Sequence, residues 1–348
     1  MSRGNESEKN VVDDPRTNSA NSNNNSVSST NSVNNPIIIN SINSINSINS
    51  INSTNSTNST NSTNSTNSTN SPGLPDASSI KDTGKDWPLA AAFQFLSRFP
   101  VPVEVNFTPG VLRRSTKYYP LVGFAIGAAL GLAAAGCAWV LPPMPAAVLI
   151  LALWIWLTGG LHLDGWMDSA DALLSYRSRE RMLEIMKDSR VGAMGVIACV
   201  LLLLLKMSLL YTLIGYGFAQ VGAALLTAAI WSRWFMTYAM QAWPTARQGE
   251  GLAGNFRGLK PGSIAVSTAA ALLLSAAGLT AIISLEQGTV LGSLVLLYCA
   301  APCVAWLAGT LAASRISKRL GGLTGDVYGA LNEGIEAAVL LAAVICLG

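Results

Sequence analysis

Residues 144–171 read MPAAVLILALWIWLTGGLHLDGWMDSAD. Up to residue 163 the segment holds no Asp, Glu, Lys or Arg, and it has the roughly 20-residue length that a helix needs to cross a bilayer. Three aspartates follow at once. One continuous segment therefore joins a membrane span to an acidic face, and it predicts a membrane-embedded helical protein with its chemistry at the membrane edge. Working outward, comparable apolar stretches lie at about 118–141, 191–214, 216–240, 262–286, 289–311 and 327–347. The expected fold is an all-α, multi-pass transmembrane bundle of about seven spans. Residues 87–99 are apolar but short, which suits an interfacial or re-entrant helix. Composition agrees, since half of the chain is apolar and only 12% is charged, about half the charged fraction of an ordinary soluble domain.

The charges are distributed unevenly. Nearly all Lys and Arg beyond the N-terminal region fall in the segments 98–117, 164–190, 241–261 and 312–326, and none falls in the alternate connections at 142–145, 215 and 286–288. The positive-inside rule assigns the four basic segments to the cytoplasm. The acidic clusters sit on or beside the same segments, so the chemistry is expected to face one side only. A transporter would instead place ionisable groups and broken helices near the bilayer midplane. Here the exceptions within spans are few: Lys206, Arg233, Glu333 and Glu336. Lys206 is expected to pair with another buried group, and Arg233 to snorkel toward the near membrane face. The net charge of +3 is too small to argue for nucleic-acid binding.

Residues 1–86 differ in kind from the rest. From Asn40 to Asn70 an asparagine recurs at every third position, in Ile-Asn-Ser and then Asn-Ser-Thr repeats. No apolar face exists at either secondary-structure period, so a disordered low-complexity tail is expected, with the membrane domain at 87–348. No charged region followed by an apolar core opens the chain, so no signal peptide is expected. The five cysteines lie in apolar stretches and are expected to be buried, inert thiols. With a single histidine in the chain, no Cys/His zinc pattern can be drawn.

The richest segment is 158–171, TGGLHLDGWMDSAD. Asp164, Asp168 and Asp171 stand at i, i+4 and i+7, one face of a helix. Carboxylates aligned without a cation between them repel one another, an arrangement suited to a bound divalent ion, Mg²⁺ or Mn²⁺, against substrate phosphates. A solvated helix face is the plainer alternative. Gly159 and Gly160 permit close backbone approach. Asp188 lies in EIMKDSRVG, and Asp326 in GGLTGDVYGALNE between glycines that suit phosphate contact. His162 could act as a general base, orient a carboxylate or close the span end. The glycine-rich loop 243–260 carries Arg247, Arg257 and Lys260, suited to phosphate recognition or simply to fixing topology. Trp166, Tyr176 and Phe256 are candidates for stacking against a large ligand.

Taken together, LSRFPVP (96–102), YYPLVG (118–123), TGGLHLDGWMDSAD (158–171), RMLEIMKDSRVG (181–192) and GLTGDVYGA (322–330) resemble, in order and spacing, the signature blocks of the cobalamin synthase family, the adenosylcobinamide-GDP ribazoletransferases. The resemblance covers roughly 87–348 and leaves the tail outside. It implies a Mg²⁺-dependent transferase of phosphorus-containing groups in the bacterial inner membrane, with its active site facing the cytoplasm. A hydroxyl of α-ribazole, or of its 5′-phosphate, would attack the corrinoid-side phosphorus of adenosylcobinamide-GDP and GMP would leave. On that reading Asp164, Asp168 and Asp171 hold metal, and His162 or a carboxylate takes the proton. Asp188 and Asp326 complete the metal shell or bind ribazole, while Lys187, Arg190, Arg247 and Arg257 neutralise the departing GMP. The expected partners are the two substrates and the lipid bilayer, with no nucleic acid and with a homo-oligomer left open. The nearest rival is a CDP-alcohol phosphotransferase, whose Asp-Gly-x2-Ala-Arg signature breaks here after Asp164-Gly165.

Overall fold

The computed structural model describes residues 84–247, 252–285 and 291–348. The expected tail lies outside these residues apart from its last three positions, as do the 286–288 connection and part of the 243–260 loop. In chain order the helices are α1 (Pro88–Leu96), α2 (Pro109–Ser115), α3 (Tyr119–Ala138), α4 (Pro143–Thr158), α5 (Leu161–Leu174), α6 (Arg179–Ile185), α7 (Ala193–Tyr216), α8 (Phe218–Ala242), α9 (Pro261–Leu285), α10 (Leu291–Leu320) and α11 (Gly325–Leu347). Short 3-10 turns occupy Thr116–Tyr118 and Leu252–Phe256. No strand forms among the described residues; Lys85 with Val105 and Thr245 with Leu323 make isolated bridges.

Five helical stretches are long and apolar enough to cross a membrane, and α4 with α5 adds a sixth if that pair, bent by 91°, is one broken span. The chain is thus a multi-pass membrane protein, but two of the seven expected spans differ: the one expected at 144–163 stops at Thr158, before the Gly159-Gly160 break, and α8 also departs from the expectation. It is 25 residues long and is not among the five. It carries Gln220, Thr227, Ser232 and Arg233 because protein, rather than lipid, surrounds it. Nearly every residue from Val221 to Met240 is buried, against α3, α11, α9 and α10.

Glycines permit that central position. A β-carbon at Gly123 would stand 2.3 Å from the Ala229 carbonyl oxygen, and one at Gly127 2.7 Å from the Leu226 α-carbon. The α3 and α8 backbones therefore touch, the close approach that small residues allow between membrane helices. Around the outside, Leu132, Leu273 and Ile345 are exposed, the apolar circumference of a protein whose solvent is lipid. The same circumstance corrects the expectation for the thiols. Cys299 and Cys303 are exposed on α10, and the other three cysteines are partly so, because an apolar position on a span need not be an interior one.

Candidate active site

The site begins at the Gly159-Gly160 break. Both glycines have positive φ, 67° and 72°, the left-handed conformation that glycine adopts without a steric penalty. A β-carbon at Gly159 would also stand 2.8 Å from Arg98 Nε. The break turns α5 out of the line of α4, so α5 runs as an interfacial arm across the end of the bundle. It then crosses the first turn of α11 at another glycine pair. A β-carbon on Gly165 would lie 2.6 Å from the Asp326 carbonyl oxygen, and one on Gly329 3.2 Å from the His162 backbone. That contact brings Asp326 beside Asp164 and Asp168.

The electrostatics follow from the crowding. Partial burial and then the carboxylates of Asp164, Asp326 and Asp171 push the Asp168 carboxyl up to about 7. Burial raises Asp164 as well. Arg247 lies within electrostatic reach of Asp326. Among the described residues no three His, Cys, Asp or Glu side chains close around a metal-sized space. Mg²⁺, however, usually takes only one or two protein carboxylates and fills its shell with substrate phosphate and water. A crowded, mutually repelling Asp164–Asp168–Asp326 group fits that donor set.

Asp171 shares the helical face but is committed elsewhere. Its two carboxylate oxygens accept the N–H groups of Gly192 and Gly195, both at 2.7 Å. It caps the start of α7, whose N-cap residue Gly192 has no side chain to do so. Asp188 is also engaged, accepting from Arg190 Nε at 3.0 Å and from its second guanidinium nitrogen at 2.7 Å. Those hydrogen bonds hold the Asp188 carboxyl down to about 2. Lys187 is exposed beside it. The structure thus joins Asp164, Asp168 and Asp326, and sets Asp171 and Asp188 in separate local bonds. Phe256 is buried against Phe95, 6.2 Å between ring centroids, so it offers no stacking face; Tyr176 is 83% exposed.

The basic segments form one layer. Arg179 donates to the Leu320 carbonyl (2.7 Å) and the Ala246 carbonyl (2.9 Å). Arg247 donates to Leu183 O (2.9 Å), and Arg257 to Thr245 Oγ1 (2.7 and 2.8 Å) and the Arg247 carbonyl (3.1 Å). Arg113 reaches the Asn255 carbonyl, and Arg319 that of Leu173. All four segments rich in Lys and Arg therefore meet at the end of the bundle that bears the carboxylates. Arg179 was not legible as a site-building residue, because its partners are backbone carbonyls distant in sequence.

Beneath α5 lies a second charged group, wholly enclosed. Lys206 on α7 donates to Glu333 at 2.5 Å and also to Glu336, both on α11, and its ammonium sits 4.6 Å from the Trp154 ring centroid. Arg233 on α8 is fully buried and donates to Glu336, so it does not snorkel; an ion pair in the interior satisfies it instead. Asn332 Nδ2 lies 3.2 Å from His162 Nδ1 and donates to Glu336 Oε1 at 3.1 Å. The sequence showed the charges but not Asn332, a neutral side chain whose role depends on three helices meeting.

Comparison with known proteins gives this geometry its context. The Cobalamin-5-phosphate synthase family matches residues 88–344. The chain belongs to that family. It is a transferase of cobalamin biosynthesis. Among curated relatives, the adenosylcobinamide-GDP ribazoletransferase of Brevibacillus brevis is 39% identical over 252 residues, covering 72% of this chain and 94% of the relative. The proteins of the same name from Desulfitobacterium hafniense and Pseudomonas putida are 40% and 39% identical, covering 94% and 97% of their own lengths and 72% and 73% of this chain. No solved structure matches. The family match displaces the CDP-alcohol phosphotransferase alternative, and it excludes the Asn/Ser/Thr-rich region.

Proposed function

We propose that the chain joins α-ribazole, or α-ribazole 5′-phosphate, to adenosylcobinamide-GDP and releases GMP, at the cytoplasmic face of a bacterial inner membrane. The observation that carries the site assignment is the meeting of Asp164 and Asp168 with Asp326 across the Gly165 contact. Displacement at a diphosphate demands positioning and charge neutralisation more than covalent chemistry from the protein. One or two of Asp164, Asp168 and Asp326 would hold Mg²⁺, which when bound would supply neutralising charge at the diphosphate. A ribazole hydroxyl forms the new P–O bond at the corrinoid-side phosphorus, the P–O bond to GMP breaks, and the hydroxyl proton passes to an acceptor. The α5 carboxylates, which open at that end of the bundle, are the acceptors the protein offers there.

Arg247, Arg257, Lys187 and Arg190 surround the same end of the bundle and would neutralise the departing GMP. Asp188, held by Arg190, would accept from ribazole hydroxyls. The gathering of all basic segments at the carboxylate end supports the cytoplasmic orientation. The deciding assay supplies detergent-purified protein with adenosylcobinamide-GDP, α-ribazole and Mg²⁺, with and without EDTA. GMP release with a cobalamin product, abolished by EDTA, is expected. Absence of product from folded protein would refute the reading, and turnover unaffected by EDTA would refute the metal assignment.

A further inference from the structure

We propose that His162 is not the proton acceptor but a positioning residue. It is locked as the neutral Nε2–H tautomer by Asn332 and Glu336, and it pins the carboxylate-bearing helix α5 to the buried ion cluster. Two independent observations carry this.

The first is a chain of hydrogen bonds with only one consistent polarity. Glu336 lies between two cations, with Lys206 donating to one carboxylate oxygen and Arg233 to the other. Such a carboxylate is ionised and can only accept. Its Oε1 atom is 3.1 Å from the Asn332 side-chain amide, so the amide must present its NH2 group there. Reversing the amide would set its oxygen against a carboxylate oxygen. The same Nδ2 nitrogen lies 3.2 Å from His162 Nδ1 and offers its second N–H to that atom. Nδ1 is therefore an acceptor, and the ring proton resides on Nε2. The charged groups that act on the ring are Arg233 from α8, Glu336 from α11 and Lys206 from α7.

The second observation is direction. His162 is 1% exposed, whereas Asp164 is exposed and Asp168 half-exposed. Residues two apart on a helix point to nearly opposite sides. The carboxylates look out from the bundle end and His162 looks in at Asn332. A base on the inward side is poorly placed to reach a hydroxyl held at the outward one. The proton must then pass to a carboxylate, a substrate phosphate or water.

The kinetic consequence rests on the transfer reaction proposed above; the tautomer does not, so the two can fail separately. His162 is the chain's only histidine, so untagged protein labelled with [15N]histidine and reconstituted in lipid shows a single pair of ring nitrogens. Solid-state NMR is expected to find an unprotonated Nδ1 and a protonated Nε2. Asn332→Leu should release the lock and give mixed tautomers. A protonated Nδ1 in the unmutated protein overturns the proposal.

In the GMP-release assay, His162→Asn keeps an acceptor near the Nδ1 position. It should retain activity within about tenfold with an unchanged pH–rate profile, whereas His162→Leu should lose substantially more. Loss of the acid limb in His162→Asn, with activity down by the ~10²–10⁴-fold typical of a removed general base, would equally overturn it. Inactivity of the unmutated protein would instead strike the transfer reaction and leave the NMR result standing.

Discussion

The molecule contains two groups of charges, one on each side of α5, with opposite electrostatics. Lys206, Arg233, Glu333 and Glu336 are enclosed, equal in number of each sign, and bonded in pairs. Asp164, Asp168 and Asp326 share one sign, and partial burial together with the neighbouring carboxylates makes Asp168 harder to ionise. A buried charge must be paired or the fold fails, so the enclosed cluster balances its charges internally and acts as a fastening. The outer group has an excess of negative charge, with only Arg247 within electrostatic reach of Asp326, which suits the cation and phosphorylated substrate proposed for it. A balanced ion cluster within a membrane protein is thus poor evidence of a catalytic centre, and an unbalanced one at the membrane edge is better.

That contrast can be broken from either side. The largest expected effect is on the outer group. Asp168→Asn should abolish GMP release, a loss of at least about 10³-fold by analogy with other electrostatic catalytic groups, while thermal stability in detergent holds or rises as like-charge repulsion is relieved. A variant that turned over normally would remove Asp168 from the metal site. Next comes the inner group. Glu336→Gln leaves Lys206 and Arg233 short of a counter-charge and should destabilise by about 3–5 kcal/mol, read as a large drop in Tm. An unchanged Tm would show the cluster to be dispensable.

Gly165→Ala tests the link between the two groups, since its methyl group would meet the Asp326 backbone. Overpacking of about 1–3 kcal/mol should separate α5 from α11 and weaken Mg²⁺-dependent activity more than stability. Equal Mg²⁺ activation curves for variant and parent would deny the contact that role. The smallest effect on turnover belongs to Asp171→Asn. One of its two charge-assisted bonds to the α7 N-terminus is lost, worth about 1.5–3 kcal/mol, with turnover reduced far less than in Asp168→Asn. Equal losses would return Asp171 to the metal site.

Much of this was readable before any coordinates. The aspartate spacing on α5 and the approximate positions of the apolar helices are local matters of sequence; the Gly159-Gly160 break was not legible there, because the apolar run continues through both glycines to Leu163. Asp171 was misleading because spacing alone places it with Asp164 and Asp168, while the N–H groups that engage it lie 21 and 24 residues away. Arg233 was read as a surface-seeking group because its distance from the helix end was visible and Glu336, 103 residues on, was not.

By itself, the sequence determined the helical class, the membrane environment, the family and the acidic helix face, since hydropathy, periodicity and short motifs are properties of contiguous residues. Only the tertiary structure decided that α8 is the core helix and not a lipid-facing one, that Asp326 rather than Asp171 joins the α5 carboxylates, and that Asn332 lies between Glu336 and His162. Those outcomes depend on which helix backbones can touch, and contact between distant segments is set by packing that no local pattern encodes.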